Sequence, residues 1–275
     1  MTQMTQSRKG EIFRALHQRP GAFIIPNPWD IGSARMLAHL GFEALATTSA
    51  GYAFSLGRQD YGVGREAMMG HVSVLAAATE LPLSADLENG FSDAPEGAAE
   101  TIRLAAAAGV VGGSIEDATG SPEQPIYDTG LAAERVRAAA ESARGLGFPF
   151  TLTARAENYL HGRPDLKDTI TRLQAYQEAG ANVLYAPGLT SKEDIATLVS
   201  SVDRPVNVLM GLAGIRMNLA DLEAIGVKRV SVGSALARAA YGCLLRAAQE
   251  MREDGTFGFA EKAATSREIA AMFQG

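Results

Sequence analysis

Eight short apolar runs recur along this chain, and longer stretches with helical spacing separate them. The runs are Ala22–Asn27, Glu43–Ser49, Leu81–Glu88, Val110–Asp117, Pro149–Arg155, Ala181–Pro187, Arg204–Met210 and Lys228–Gly233. Short apolar runs between turn residues suit parallel strands buried on both faces. The intervening stretches predict helices over Asp30–Leu40, Arg65–Thr79, Gly130–Ala143, Leu166–Ala179, Ser191–Ser200, Leu219–Ile225 and Ser234–Met251. Ser92-Asp93-Ala94-Pro95-Glu96 reads as a further helix start, with a capping residue, Pro in the first turn and Glu just after. Helices over Ser7–His17 and Glu261–Met272 add one element at each terminus. This alternation implies an α/β fold: a single (β/α)8 TIM-type barrel over residues 1–275.

Such barrels place chemistry at the C-terminal ends of their strands. Here those ends carry Asp86 with Glu88, Glu116 with Asp117, and Arg155. Asp86-Leu87-Glu88 alternates as a strand does, so both carboxylates are expected on one side. A carboxylate ending a buried run is costly unless paired or metal-bound, although a backbone-capping role is open for either residue. Glu116 on the next strand favours the metal reading. Oxygen donors without Cys or His nearby suit Mg2+, with Mn2+ as a second choice, over zinc. Arg155 has two readings: a guanidinium that neutralises the acidic cluster or binds a substrate carboxylate bidentately, or an ion pair with Glu157. Thr47-Thr48-Ser49-Ala50-Gly51 ends the second run, where small residues and free N–H groups can cradle an anion.

The length, 275 residues, is close to the roughly 250 of one such barrel. The net charge of −6, without a basic block, argues against nucleic-acid binding. Cys243 is the only cysteine, which excludes an internal disulfide and a multi-cysteine zinc site, and it is expected to be a buried structural thiol. The start, Met1-Thr2-Gln3, is polar, and no run approaches a membrane span. A cytoplasmic protein without membrane or nucleic-acid partners is the expectation.

Residues 118–129 break the rhythm, being polar and rich in Pro and Gly. A long loop at the catalytic face reads as a lid, or else as a solvated connector. Gly211-Leu212-Ala213-Gly214 and Gly233-Ser234-Ala235 follow the last two strands, where many barrels bind phosphate, so a phosphosugar isomerase or aldolase is a rival. No Lys ends a strand, which disfavours a Schiff-base aldolase. His17, His39 and His71 fall in helices or their flanks, and His161 follows the fifth strand.

Taken in order, Asn27-Pro28-Trp29-Asp30, Thr48-Ser49-Ala50-Gly51, Gly57-Arg58-Gln59-Asp60, Asp86-Leu87-Glu88-Asn89-Gly90, Ile115-Glu116-Asp117, Ala154-Arg155 and Val230-Ser231-Val232-Gly233 resemble the isocitrate lyase / phosphoenolpyruvate mutase superfamily. The resemblance covers roughly residues 8 to 250. It implies that Asp86 is the direct Mg2+ ligand and that Asp60, Glu88 and Glu116 hold the metal's waters. It implies that Ser49, Ala50 and Gly51 cradle a carboxylate, that Arg155 binds the carboxylate and oxo group, and that Asn207 lies near the reacting group. It further implies a homotetramer of paired subunits that exchange the eighth helix.

Two departures stand out. Glu88 replaces the second Asp of the family's Asp-x-Asp pattern, and the lid has no Cys, Lys or His between Glu116 and Thr129. The lyase thiol and the mutase Lys and Asn are thus missing. The expected activity is a Mg2+-dependent lyase that cleaves a C–C bond of a small 2-oxo dicarboxylic acid through an enolate, on the pattern of oxaloacetate decarboxylation. Arg155, Glu116 and Asp60 are the candidate catalytic side chains. Rivals are another C–C or C–P lyase, hydrolase or phosphonomutase of the same superfamily, and a non-catalytic 2-oxo-acid binding protein.

Overall fold

The computed structural model describes residues 4–273; Met1 to Gln3, read above as a polar start, and residues 274–275 lie outside the described residues. Helix α1 (Gln6–Gln18) leads into β1 (Phe23–Ile25), α2 (Ile31–His39), β2 (Leu45–Ala46), α3 (Ser49–Ser55) and α4 (Arg65–Ala78). There follow β3 (Leu83–Asp86), α5 (Pro95–Ala107), β4 (Gly112–Glu116), α6 (Thr129–Arg144), β5 (Thr151–Arg155) and α7 (Leu166–Ala179). The chain continues through β6 (Val183–Tyr185), α8 (Lys192–Ser200), β7 (Val206–Leu209), α9 (Leu219–Ala224), β8 (Arg229–Ser231), α10 (Ala235–Glu253), a 3-10 turn (Gly258–Lys262) and α11 (Ser266–Met272). Each strand lies inside one of the eight apolar runs.

The strands pair in parallel in the order β1-β8-β7-β6-β5-β4-β3-β2. The seam between the end strands carries a backbone bond from Ala46 N–H to Pro26 O at 3.1 Å. Asn27 pins the same seam from its side chain: Nδ2 donates to Thr47 O, and Oδ1 accepts from Val232 and Gly233 N–H. The result is a (β/α)8 barrel.

Local sequence sets the helix starts. Asp30 and Ser33 form a capping box on α2, Asp165 caps α7, and Asn218 with Asp221 boxes α9. Before α5 the cap is Ala94, without a side-chain bond, and Pro95 opens the first turn. The Ser92 hydroxyl instead accepts from Ala94 N–H. Residues 49–55, which carry no long apolar stripe, form the extra helix α3 that the pattern misses.

The base of the barrel is closed by α1. Phe13 and Leu16 pack with Phe23, Ile25, Ala44 and Val111. A β-carbon at Gly112 would stand 2.7 Å from the Phe13 ring, so the plug requires glycine on β4. The larger cluster fills the space between the strands and helices α2 to α9.

Helix α10 behaves differently. Ala237 is its one buried residue, while Leu244 and Leu245 are 61% and 62% exposed. Its remaining apolar face is not covered by its own barrel. Cys243 is exposed, which corrects the expectation of a buried thiol. The expected helix over Glu261–Met272 is shorter, since the 3-10 turn takes its first residues.

Candidate active site

At the C-terminal mouth, the guanidinium of Arg155 at the end of β5 reaches three carboxylates with three different nitrogens. Nη1 meets Asp86 Oδ1 at 2.8 Å, Nη2 meets Glu116 Oε2 at 3.1 Å, and Nε meets Glu157 Oε1 at 2.8 Å. The ion pair with Glu157 is formed, and the same guanidinium also neutralises Asp86 and Glu116. Its planar fork is what permits three separate contacts; an ammonium has one nitrogen. Tyr185 on β6 lies beneath it, with the ring centroid 5.2 Å from the guanidinium carbon.

Asp86 ends β3 and is the hub. Its Oδ2 accepts from the Ser49 N–H and hydroxyl, both at 3.0 Å. The Ser49 hydroxyl also lies 3.1 Å from Asp60 Oδ1, so Asp60, Ser49 and Asp86 form one chain. Glu116 accepts from the Tyr61 hydroxyl. Tyr61 sits in the left-handed region (φ 60), where a bulky residue is strained, beside Asp60 in the loop after α3.

Glu88 reaches this cluster differently from expected. The strand stops at Asp86, and Glu88 has φ 50, so a turn rather than strand alternation brings it near Asp86 and Asp60. It is 5% exposed and accepts no side-chain hydrogen bond among the described residues. Burial, then the neighbouring Asp86 and Asp60, pushes its carboxyl up to about 8. Burial and then Asp86 also raise Asp60. Glu116 and Glu157 are raised, again chiefly by burial.

Ser49 and Ala50 line a cavity of about 160 Å3 together with Asp60, Asp86, Arg155, Tyr185, Asn207 and Arg229. The expected cradle is the first turn of α3. The Thr48 hydroxyl caps Gly51 N–H, Ser49 N–H is held by Asp86, and Ala50 N–H takes no acceptor among the described residues. Gly51 lies behind the cavity, where a β-carbon would stand 2.6 Å from Thr48 Cγ2. Asp117 points away from the mouth and anchors Arg172, Tyr176 and the Glu157 N–H. His161 and residues 118–129 do not border the cavity. The segment folds on itself through an Ala118–Ile126 bridge, and its Tyr127 hydroxyl binds Asn89 and Asp93.

Glu88, Glu116 and Glu157 are buried and Asp86 is half-buried, with Asp60 at the exposed rim, so the acids outnumber the one guanidinium they surround, an excess that is unfavourable without a further cation. Among the described residues, no three acidic, His or Cys side chains are close enough to grip an ion jointly. The donor set therefore does not fit a closed zinc shell. Oxygen donors of this kind suit a hard cation that keeps several of its waters.

The family model described as phosphoenolpyruvate phosphomutase matches residues 13–252. The chain belongs to this family. It is an enzyme of the isocitrate lyase / phosphoenolpyruvate mutase superfamily, whose named members include carbon–carbon lyases. A Burkholderia cenocepacia J2315 protein, provisionally called a lyase/mutase, has a solved structure with 63% identity and a TM-score of 0.96, over 98% of this chain and 97% of that one. A Corynebacterium glutamicum relative named "Probable 2-methylisocitrate lyase 2" is 28% identical, covering 91% of this chain and 82% of its own. Two further likenesses concern the fold alone. Oxaloacetate acetylhydrolase in complex with oxalate has 24% identity, a TM-score of 0.87, and 98% and 94% coverage. Phosphonopyruvate hydrolase with oxalate and Mg2+ has 22% identity, a TM-score of 0.85, and 98% and 95% coverage.

Three family-site neighbours escape the sequence pattern. Tyr61 and Tyr185 are single aromatics in a loop and a short strand, with nothing in spacing to mark them. Arg229 opens β8 beside Lys228, and only the strand register decides that Arg229 points inward while Lys228 Nζ caps Arg19 O and Gly21 O.

Proposed function

We propose that the chain is a Mg2+-dependent lyase of a small 2-oxo dicarboxylic acid, working as an oxaloacetate decarboxylase does. The observation that carries this reading is the cluster of carboxylates around Arg155 at the barrel mouth, with no thiol, amine or imidazole in residues 118–129. Mg2+, or Mn2+, held by Asp86 and through water by Asp60, Glu88 and Glu116, would supply Lewis-acid stabilisation of an oxyanion at C2. The Ala50 N–H, beside Ser49 in the first turn of α3, would hold the C1 carboxylate, and Arg155 would face the 2-oxo group. As the C3–C4 bond breaks, CO2 leaves and the electron pair enters the C2–C3 enolate. The fixed guanidinium opposes the developing charge without reorganising. A proton from solvent then adds at C3 to give pyruvate. The leaving group needs no proton donor, which agrees with a lid lacking the lyase thiol.

The proposal extends to assembly and place. The exposed apolar face of α10, with Leu236, Leu244, Leu245 and Met251, supports a homotetramer of dimers that exchange this helix. A cytoplasmic site of action agrees with the single cysteine. The test of function is a panel of 2-oxo, 2-hydroxy and phosphono acids incubated with Mg2+ and followed by proton and phosphorus NMR. Loss of oxaloacetate with growth of pyruvate above the metal-only rate supports the reading. A phosphorus product moves the chemistry to C–P cleavage, and metal-dependent binding without any product favours a 2-oxo-acid sensor.

A further inference from the structure

Arg229 is a buried cation without a buried anion. It opens β8, is 5% exposed, and pairs with no carboxylate among the described residues. Its partners are all neutral: Nε donates to Asn207 Oδ1 at 2.9 Å, Nη2 donates to Thr153 Oγ1 at 3.0 Å, and Nη1 lies 3.4 Å from His17 Nε2. His17 is held neutral, its imidazole pushed down to about 3 by burial and then by Arg229 itself. Burial lowers the guanidinium only to about 10, so it stays charged at neutral pH. An unpaired charge at this depth is costly, and a barrel interior is ordinarily filled by branched apolar side chains.

The contact with Asn207 has a direction. A carboxamide has one accepting end and one donating end, and either can occupy the same volume. Because Arg229 Nε is a donor, Asn207 Oδ1 must face it. The Nδ2 end then faces the other way, where one hydrogen goes to Ser231 Oγ at 2.9 Å and the other has no acceptor among the described residues. Asn207 and Arg229 are register partners on β7 and β8. In an eight-stranded barrel β7 stands opposite β3, which carries Asp86, and Asn207 and Asp86 line the same cavity.

We propose that Arg229 is a positioning residue for substrate specificity: it locks the Asn207 amide with its N–H end toward the cavity, so that the pocket selects acids with a second carboxylate distal to the 2-oxo group. This rests on the reading of a Mg2+-assisted 2-oxo-acid site given above. Oxalate carries only the part of the substrate that the Asp86 side holds. 3,3-Difluorooxaloacetate adds the distal carboxylate. The ratio of their dissociation constants therefore isolates the Asn207 side.

Two substitutions separate donor from charge. In Arg229→Gln, Nε2 stands the same number of bonds from the backbone as Arg Nε, so the donor to Asn207 Oδ1 is kept and the charge is lost. In Arg229→Lys the charge is kept, and a methylene replaces the Nε donor. Both proteins are titrated with oxalate and with 3,3-difluorooxaloacetate in Mg2+ by calorimetry. The expected result is a ratio, difluorooxaloacetate over oxalate, raised about tenfold or more in Arg229→Lys and kept within about threefold of wild type in Arg229→Gln, the scale of one hydrogen bond to a charged group. The reverse pattern would mean that charge, not amide orientation, matters, and it overturns the proposal. Equal ratios in all three proteins, or equal defects in both variants, overturn it as well. Should either variant fail to fold, Ser231→Ala takes its place: with the Ser231 acceptor gone and Arg229 intact, the ratio must stay within about threefold of wild type, because Arg229 alone fixes the amide. A wild-type protein that binds no oxalate in Mg2+ instead refutes the underlying site reading, a result distinct from any change in the ratio.

Discussion

Arg155→Lys tests whether geometry or charge organises the mouth. The native guanidinium meets Glu157, Asp86 and Glu116 at 2.8, 2.8 and 3.1 Å through three nitrogens. A lysine ammonium cannot occupy three such positions, so at least one carboxylate loses its partner. The carboxylates at risk, Glu116 and Glu157, have side chains 3% and 2% exposed. Breaking one side of a buried pair costs about 3–5 kcal/mol, and the lower end applies because the ammonium still neutralises one neighbour. At roughly 2–4 °C per kcal/mol for a chain of this size, Tm should fall by on the order of 6–12 °C. Burial already raises Glu116 and Glu157, and losing the guanidinium raises them further. A carboxyl with a raised folded pKa stabilises the fold below its unfolded pKa, and that contribution is lost as pH rises through the folded value. The deficit of Arg155→Lys should therefore be larger at pH 8 than at pH 5. Turnover should fall about 100-fold or more, the scale of one lost oxyanion donor. Thermal unfolding at both pH values, with steady-state rates, makes the measurement. Near wild-type turnover together with an unchanged Tm at both pH values would refute the argument.

Three further outcomes are expected. Glu88, raised to about 8, should make the metal-free protein lose stability as pH rises from about 4.5 to about 8, while saturating Mg2+ flattens that slope; identical slopes by calorimetry would remove Glu88 from the cation's surroundings. If residues 118–129 close over substrate, limited proteolysis within them should slow when Mg2+ and a 2-oxo acid are both present, and equal cleavage rates would make the segment a connector. Light scattering should find an oligomer at micromolar concentration, and truncation from Asp254 should lower its stability and activity; a full-length monomer would sink the exchange of α10.

The barrel was legible because strand and helix periods differ so strongly along this chain, and every strand fell within its apolar run. The acidic mouth was legible because Asp86, Glu116 and Arg155 end strands that are otherwise apolar. Residues off the ladder were harder. Strand alternation placed Glu88 beside Asp86 for the wrong reason, since the chain turns at Glu88 into a left-handed conformation. Cys243 read as buried because it lies in an apolar, Ala-rich helix, and a helix's pattern tells that a face will be covered but not by which surface. Arg229 was hidden because a basic pair at a strand start normally marks solvent, and only the register turns one member inward.

The most direct test of the account is the Mg2+-dependent conversion of oxaloacetate to pyruvate, followed by coupled reduction of the pyruvate, for the wild-type protein and Asp86→Ala side by side. Because Mg2+ alone promotes some decarboxylation, the variant serves as the control of equal protein and metal. Turnover by the wild type should require Mg2+, and a folded Asp86→Ala should be no faster than metal alone. Equal rates for the two proteins, or wild-type turnover that persists in chelator, would contradict it.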